Sequence, residues 1–467
     1  MLRLFCTILL IIFSNQIMAW ENHAMLTRIV LDNWGVSNAP VSKYLNQNIK
    51  PESLQAFLNA TKKTLPDKLM KIESWAQANE NGYKSLPGNL AYQPSRSDCK
   101  NNLELCFRKA LRINLDVALR PIIYDESSYY SHQRGFTAIT DLRKIMPDYV
   151  ASGFNMQHFA FIPNNGKVRV ADVIATGSIQ PDFGFDTFLY EDSQTAFGKI
   201  YGFGTQPLGN PALAFNSQML FHMSAYHEDP KILALIPRLN ENYPEYRAFL
   251  YLNLSQFAAE NNHPYWAALF LGWGLHYVQD LTQPYHSKIA YGLDTNVVLS
   301  AIMETGKKNF APFSQLETLQ INRHVILENL TNTMLTSADG DLYKKIFENS
   351  LKNKNINAKL PVCAINNFYL RKEVSAKAAN IIPNFEKLLM SAVPSHYVND
   401  STFHVKTTMD LNKLFSQEMS KEQKTRFVAG VAQSLGLYGA YTRKCVAAYA
   451  KSNFTNLPEP GNQVPAP

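Results

Sequence analysis

The stretch Pro264-Tyr-Trp-Ala-Ala-Leu-Phe-Leu-Gly-Trp-Gly-Leu-His276-Tyr-Val-Gln-Asp280-Leu-Thr-Gln-Pro284-Tyr-His286 is apolar on nearly every side as far as His276, as a helix in the middle of a domain must be. A lone histidine in such a helix is ordinarily a core residue with a satisfied hydrogen bond. Asp280 changes that reading. It stands one turn below His276 on the same helix face, and a buried carboxylate is costly unless it is paired or bound to a metal. Pro284 is expected to stop or kink the helix and turn His286 back toward the same place. His324 and Glu328 repeat the four-residue spacing within a second helical pattern at 315–335. Each pair can grip a divalent cation between an imidazole and a carboxylate, and the order His, Asp, His, His, Glu points to a metal site rather than to two ordinary helix contacts.

Further helices are expected at 24–34, where Leu26, Ile29, Val30 and Leu31 keep helical spacing, near 54–80 and 103–118, and at 421–450. Strand-like alternation is scarce, so the expected class is mostly α. Residues 177–215 carry Gly177, Pro181, Gly184, Gly202, Gly204, Pro207, Gly209 and Pro211 and are expected to form long loops. Loops of that length often carry function. The Pro-, Gly- and Asn-rich tail, 456–467, is expected to be disordered.

Residues 1–19, with Arg3 ahead of Ile8-Leu-Leu-Ile-Ile-Phe13 and a plausible cut after Ala19, read as a secretory signal peptide, so the mature chain would begin at Trp20 in a secreted or periplasmic protein. No other stretch approaches the ~18 consecutive apolar residues of a spanning helix. The formal charge of +7, one less without Arg3, is too small and too dispersed for a nucleic-acid-binding stripe. It supports only a weak pull toward anionic surfaces. Once Cys6 leaves with the signal, Cys99, Cys106, Cys363 and Cys445 remain for disulfides in an oxidising compartment. The preferred pairing among three is Cys99 with Cys106 and Cys363 with Cys445. No Gly-x-Ser-x-Gly or Walker-type loop offers a different chemistry.

On these residues the chain resembles the zinc-dependent phospholipase C superfamily, which also contains the single-strand-specific zinc nucleases. The resemblance implies a mostly helical catalytic domain over 20–455 holding three zinc ions; the chain departs from the compact phospholipases in the long interval between His23 and Asp182, which implies an insertion of mixed structure at about 35–175. The family's ligand order is an amino-terminal Trp, a His, an Asp, a His, then His-x-x-x-Asp, a His, and His-x-x-x-Glu or His-x-x-x-Asp. It maps onto Trp20, His23, Asp182, one histidine from 177–227, His276, Asp280, His286, His324 and Glu328. The open position has two candidates, His222 and His227, of which His222 is preferred because the preceding loop leads into it. A terminal α-amino group titrates near pH 8, low enough for a metal to deprotonate it, and the Trp20 carbonyl would complete a five-membered chelate.

Asp182 would bind zinc beside the attacking water and orient or deprotonate it. Phe183 follows it where phosphatidylcholine-cleaving members place an aromatic ring against the choline, whose charge a ring face attracts. Three divalent ions set against Asp182, Asp280 and Glu328 leave a positive pocket suited to a phosphodiester. What the resemblance implies, then, is a secreted zinc metallophospholipase C hydrolysing glycerophospholipids, phosphatidylcholine foremost, at a membrane surface. The products would be diacylglycerol and a phosphorylated headgroup, and no stable nucleic-acid partner is expected. The alternatives are a secreted zinc-dependent single-strand nuclease or nucleotidase that stacks bases on aromatics, and a non-catalytic membrane-surface protein whose zinc sites are structural.

Overall fold

The helix Pro264–Asp280 forms as expected, and every residue from Tyr265 to Asp280 is buried. A computed structural model describes residues 22–34, 39–78, 85–152, 158–207, 209–288, 292–336, 341–356, 360–364, 369–381, 385–405 and 408–449; the expected signal peptide, Trp20 and the expected disordered tail lie outside the described residues. Within them the chain is mostly helical with two small sheets. The helix Pro244–Glu260 packs along the central helix, and Val170–Gly177 and Lys421–Tyr449 lie against it from other sides. The first helix, His23–Asp32, is wedged between Val170–Gly177 and Lys421–Tyr449. No helix among the described residues is long and apolar enough to cross a membrane.

Two glycines let the central helix meet Val170–Gly177 backbone to backbone. A Cβ on Gly272 would stand 2.4 Å from the Ile174 carbonyl oxygen, and one on Gly177 would stand 2.6 Å from that of Leu269. Real side chains do not approach so closely, so only glycine permits the crossing. It brings the chain that follows Gly177 onto the His276 face of the central helix: the Ser178 carbonyl lies 2.8 Å from His276 Nδ1.

Several expected elements shift at their ends. The first helix starts at His23 rather than at 24, and the stretch 54–80 is two helices, Leu54–Thr61 and Leu65–Ala78. Pro66, which lacks an N–H and cannot continue a helix from behind, sits in the first turn of the second one. The helix expected at 103–118 stops at Leu111, because Arg112 turns left-handed (φ 51°) and its N–H bonds back to the Arg108 and Lys109 carbonyls. The central helix ends at Asp280, before Pro284, which instead opens a short helix, Pro284–Ser287, capped by the Gln283 side chain. Pro284 therefore starts an element rather than breaking one, though the turn still carries His286 back. Residues 177–215 are largely irregular as expected, with short three-ten turns at Gln180–Phe183 and Gly198–Ile200.

The expected insertion at about 35–175 leaves and returns through one antiparallel pairing, Asn48 with Arg169 and Ile49 with Val168. The second sheet lies inside it, with Phe159–Phe161 between Ile122–Tyr124 and Thr137–Ala138. This segment braces the loop after Gly177. The Asn114 N–H donates to the Phe185 carbonyl (2.7 Å), and Asn114 Nδ2 donates to Thr187 Oγ1 (2.7 Å).

Both expected disulfides form, Cys99–Cys106 and Cys363–Cys445. The second closes 82 residues against 7 and fastens the last helix. On chain-entropy grounds, Cys363→Ser with Cys445→Ser should destabilise by about 2 kcal/mol more than the matching change at the short loop. Denaturant midpoints of the two double variants check this; equal losses would mean that loop closure is not what the long bridge supplies.

Candidate metal centre

Six elements deliver side chains to one buried place. His23 comes from the first helix, Asp182 from the turn after Gly177, His222 from the end of Ala214–His222, His276 and Asp280 from the central helix, His286 from the short helix, and His324 with Glu328 from Ala311–Thr336. All eight are buried. Of the nine expected ligands, only Trp20 lies outside the described residues.

They sort into three groups able to hold an ion: His23, His276 and Asp280; Asp182, His222 and His276; and His286, His324 and Glu328. Two residues tie the first two together. Asp280 turns Oδ1 to His23 Nε2 at 3.0 Å and Oδ2 to His222 Nδ1 at 3.1 Å and His276 Nε2 at 3.2 Å. His276 Nε2 in turn lies 2.9 Å from His222 Nδ1 and 3.6 Å from Asp182 Oδ1. In the third group, Nε2 of His286 and Nε2 of His324 stand 2.9 Å apart, with Glu328 Oε1 at 3.5 and 2.8 Å.

The surroundings fix which nitrogen faces inward. His276 Nδ1 donates to the Ser178 carbonyl (2.8 Å), His286 Nδ1 to the His222 carbonyl (3.0 Å) and His23 Nδ1 to Gln279 Oε1 (3.0 Å). Each leaves Nε2 as a lone pair toward the cluster, the arrangement that sets a metal-ligating imidazole. Gln279 is itself held through Nε2 by Thr27 Oγ1 (2.9 Å) and Thr442 Oγ1 (3.0 Å). Both oxygens of Asp182 are buried and neither makes a hydrogen bond. Nitrogens turned face to face and a carboxylate without donors are expensive in a dry interior. Divalent cations satisfy them all, so the residues fit a metal centre.

Charge follows the same logic. Burial lowers His276 to about 4 and lowers His324, so both are neutral at physiological pH and free to ligate. Burial lifts Asp182 well above the usual carboxylate range, with Asp280, Glu328 and Asp186 adding to the lift against the pull of His222. Burial alone would also raise Asp280 and Glu328, but the imidazoles around them hold Asp280 well below the ordinary range and Glu328 at about 2. Burial pulls His222 down, yet its bonds to Asp186 and Asp280 carry it up to about 10, so without metal it keeps a proton. A ligating imidazole must lose that proton. Metal binding at this group should therefore release about one proton near pH 7 and weaken about tenfold for each unit of pH lowered. Calorimetric titration in buffers of differing ionisation enthalpy measures it; a buffer-independent heat would contradict the assignment of His222.

His227 lies elsewhere, half-buried, with Nε2 donating to the Arg371 carbonyl (2.9 Å), so His222 is the histidine brought into the cluster. Phe183, expected beside the headgroup, packs instead in the core, edge-on to Phe159 at 5.4 Å between centroids. In a three-ten turn successive side chains diverge by about 120°, so a residue next to an inward Asp182 points away from it.

Three supporting residues went unnoticed in the sequence. Asp186 lies 3.3 Å from His222 Nε2, accepts from the Tyr277 hydroxyl (2.6 Å) and pairs with Arg247 at 2.6 Å. Arg247 and Asp186 are fully buried, and Nη1 and Nη2 of Arg247 donate to the Leu111 and Arg112 carbonyls at 2.7 and 2.8 Å. Gln279 is the third. The only cue was spacing: Asp186 follows Asp182 by four, and Gln279 adjoins Asp280.

Beside the cluster lies a cavity of about 140 Å³. His222, His286 and His324 form its floor, and Phe215, Met219, Ile232, Val298, Ile302 and Leu316 are among its apolar walls. Among the described residues no lysine or arginine lines it. No model of a known protein family, no curated protein and no solved structure matches the chain.

Proposed function

We propose that this chain is a secreted, zinc-dependent phosphodiester hydrolase of the phospholipase C kind, cleaving glycerophospholipids such as phosphatidylcholine to diacylglycerol and a phosphorylated headgroup. The observation that carries the reading is the trio of interlocked, buried His/carboxylate groups beside a cavity that is apolar apart from a few carboxylates and amides. Bound zinc, three ions in this reading, would supply Lewis acidity toward the phosphoryl oxygens and an acidified water.

The chain's own residues do the rest. Asp280, through its two oxygens, keeps His23, His222 and His276 in one geometry. Asp182, which makes no hydrogen bond to the protein, orients the attacking water and accepts its proton. The carbonyls of Ser178 and His222 and the amide of Gln279 hold three imidazoles in the tautomer that presents Nε2. Trp20, as the first residue after signal cleavage, would add its α-amino group beside His23.

The rival nuclease reading needs a basic groove and aromatic platforms for bases; among the described residues the cavity beside the cluster offers neither lysine nor arginine. A paired assay decides between them. Release of phosphocholine from phosphatidylcholine is expected, abolished by a chelator and restored by zinc, with at most about one hundredth of that rate on single-stranded DNA, a gap worth roughly 3 kcal/mol in activation free energy. Digestion of DNA without phosphocholine release would overturn the lipid reading.

A further inference from the structure

The cavity beside the metal centre is built partly from elements that supply the cluster and partly from two, Pro230–Leu235 and Thr295–Gly306, that the cluster itself does not need. Phe215 and Met219 come from Ala214–His222, Ile232 from Pro230–Leu235, Val298 and Ile302 from Thr295–Gly306, and Leu316 from the early turns of Ala311–Thr336. Ile232 and Val298, with Ala225 and Leu239, form a small apolar cluster separate from the main core, and Ile302 and Leu316 pack against it. Thr295–Gly306 stands in the interval between His286 and His324, so the chain linking two ligands of one group also walls the cavity.

The charged groups on the wall do not make it a polar site. Glu228 has Lys288 Nζ at 3.9 Å, and burial raises the carboxyl of Glu317, favouring its neutral form. An apolar pocket of this volume, open to solvent on one side, has about the capacity of engineered cavities that accept benzene, so it takes a segment of roughly six carbons. Its floor is three histidines of the metal centre. A molecule occupying both places must be amphiphilic, with a polar head at the imidazoles and an aliphatic tail behind it.

We propose that this cavity is an aliphatic-chain site, which holds the first carbons of one acyl chain of the substrate and so makes turnover depend on chain length. The identity of the chain as part of a phospholipid rests on the proposed function; the existence of the site does not. Apolar burial gives about fourfold in affinity for each methylene, and that gain must end where the chain outgrows the cavity.

The test uses alkyl glucosides from butyl to decyl, below micelle-forming concentrations, which carry no phosphate. Calorimetry with the zinc-loaded protein should show affinity rising about fourfold per methylene up to about six to eight carbons and then levelling. Ile302→Trp and Val298→Trp, which fill the space from two positions, should each weaken hexyl glucoside at least tenfold, with zinc content and the thermal unfolding midpoint reporting that the variants are folded. Met303→Trp, on an exposed side chain of the same helix, should change nothing. Affinity without chain-length dependence, or equal binding by folded Ile302→Trp and Val298→Trp, overturns the site. If phosphocholine release is absent while the chain-length series holds, the proposed function fails and the chain site stands; if release is present and independent of chain length, the reverse is true.

Discussion

Asp280→Ala is expected to strip metal from two of the three ligand groups at once and to lower phosphodiester hydrolysis by at least about 10³-fold. The reason is geometric. One carboxylate faces His23 through Oδ1 and both His222 and His276 through Oδ2, so its loss leaves three neighbouring imidazoles without the anion that offsets divalent charge. A rate loss of 10³ corresponds to about 4 kcal/mol of transition-state stabilisation, within what metal-ion catalysis supplies. Glu328→Ala should instead empty only the third group, His286 and His324. Metal content measured by mass spectrometry beside kcat/KM separates the two cases. Full metal content in Asp280→Ala would remove the centre from this part of the molecule.

Arg247→Met is expected to destabilise the fold by about 3–5 kcal/mol, although Arg247 contacts none of the expected ligands through its charge. It neutralises Asp186 at 2.6 Å where both groups are sealed from water, and Asp186 is held below the ordinary carboxylate range by that guanidinium despite the burial that opposes it. Without Arg247 the buried Asp186 anion is left with only the His222 imidazolium and the Tyr277 hydroxyl, and the Leu111 and Arg112 carbonyls lose their donors. Replacing both members with apolar residues, Arg247→Met with Asp186→Leu, should recover much of the loss, since the second change removes the stranded charge. Chemical denaturation of the metal-free forms measures this. A single variant as stable as the parent would show that Asp186 finds another partner.

The parts of the site written as helical repeats were legible from the chain alone. His276 with Asp280 and His324 with Glu328 lie four apart, and that spacing puts each pair on one helix face before anything is known about packing. The central helix could be read for the same reason: its apolar residues run all round. Asp186, Arg247 and Gln279 carry no such pattern, because each contributes one side chain to an arrangement completed by distant segments. The cavity was invisible for a stronger version of that reason, since its walls come from several separate segments between Gly209 and His324 whose faces are chosen by tertiary packing. Phe183 misled because adjacency in sequence is not adjacency in space once the backbone turns tightly, and the helix beyond Leu103 was read too long because a left-handed Arg112 leaves no trace in residue type.

The meeting of Gly177 and Gly272 acts as a mechanical stop. Sliding either helix by one residue would drive a side chain into a backbone, so the alignment of Ser178 and Asp182 over His276 is set by steric exclusion rather than by attraction among the ligands. Three of those ligands are, moreover, already latched by their outer nitrogens. An ion entering here would meet ligands already in place, so loading would wait on its own dehydration and on the departing His222 proton rather than on the chain assembling around it.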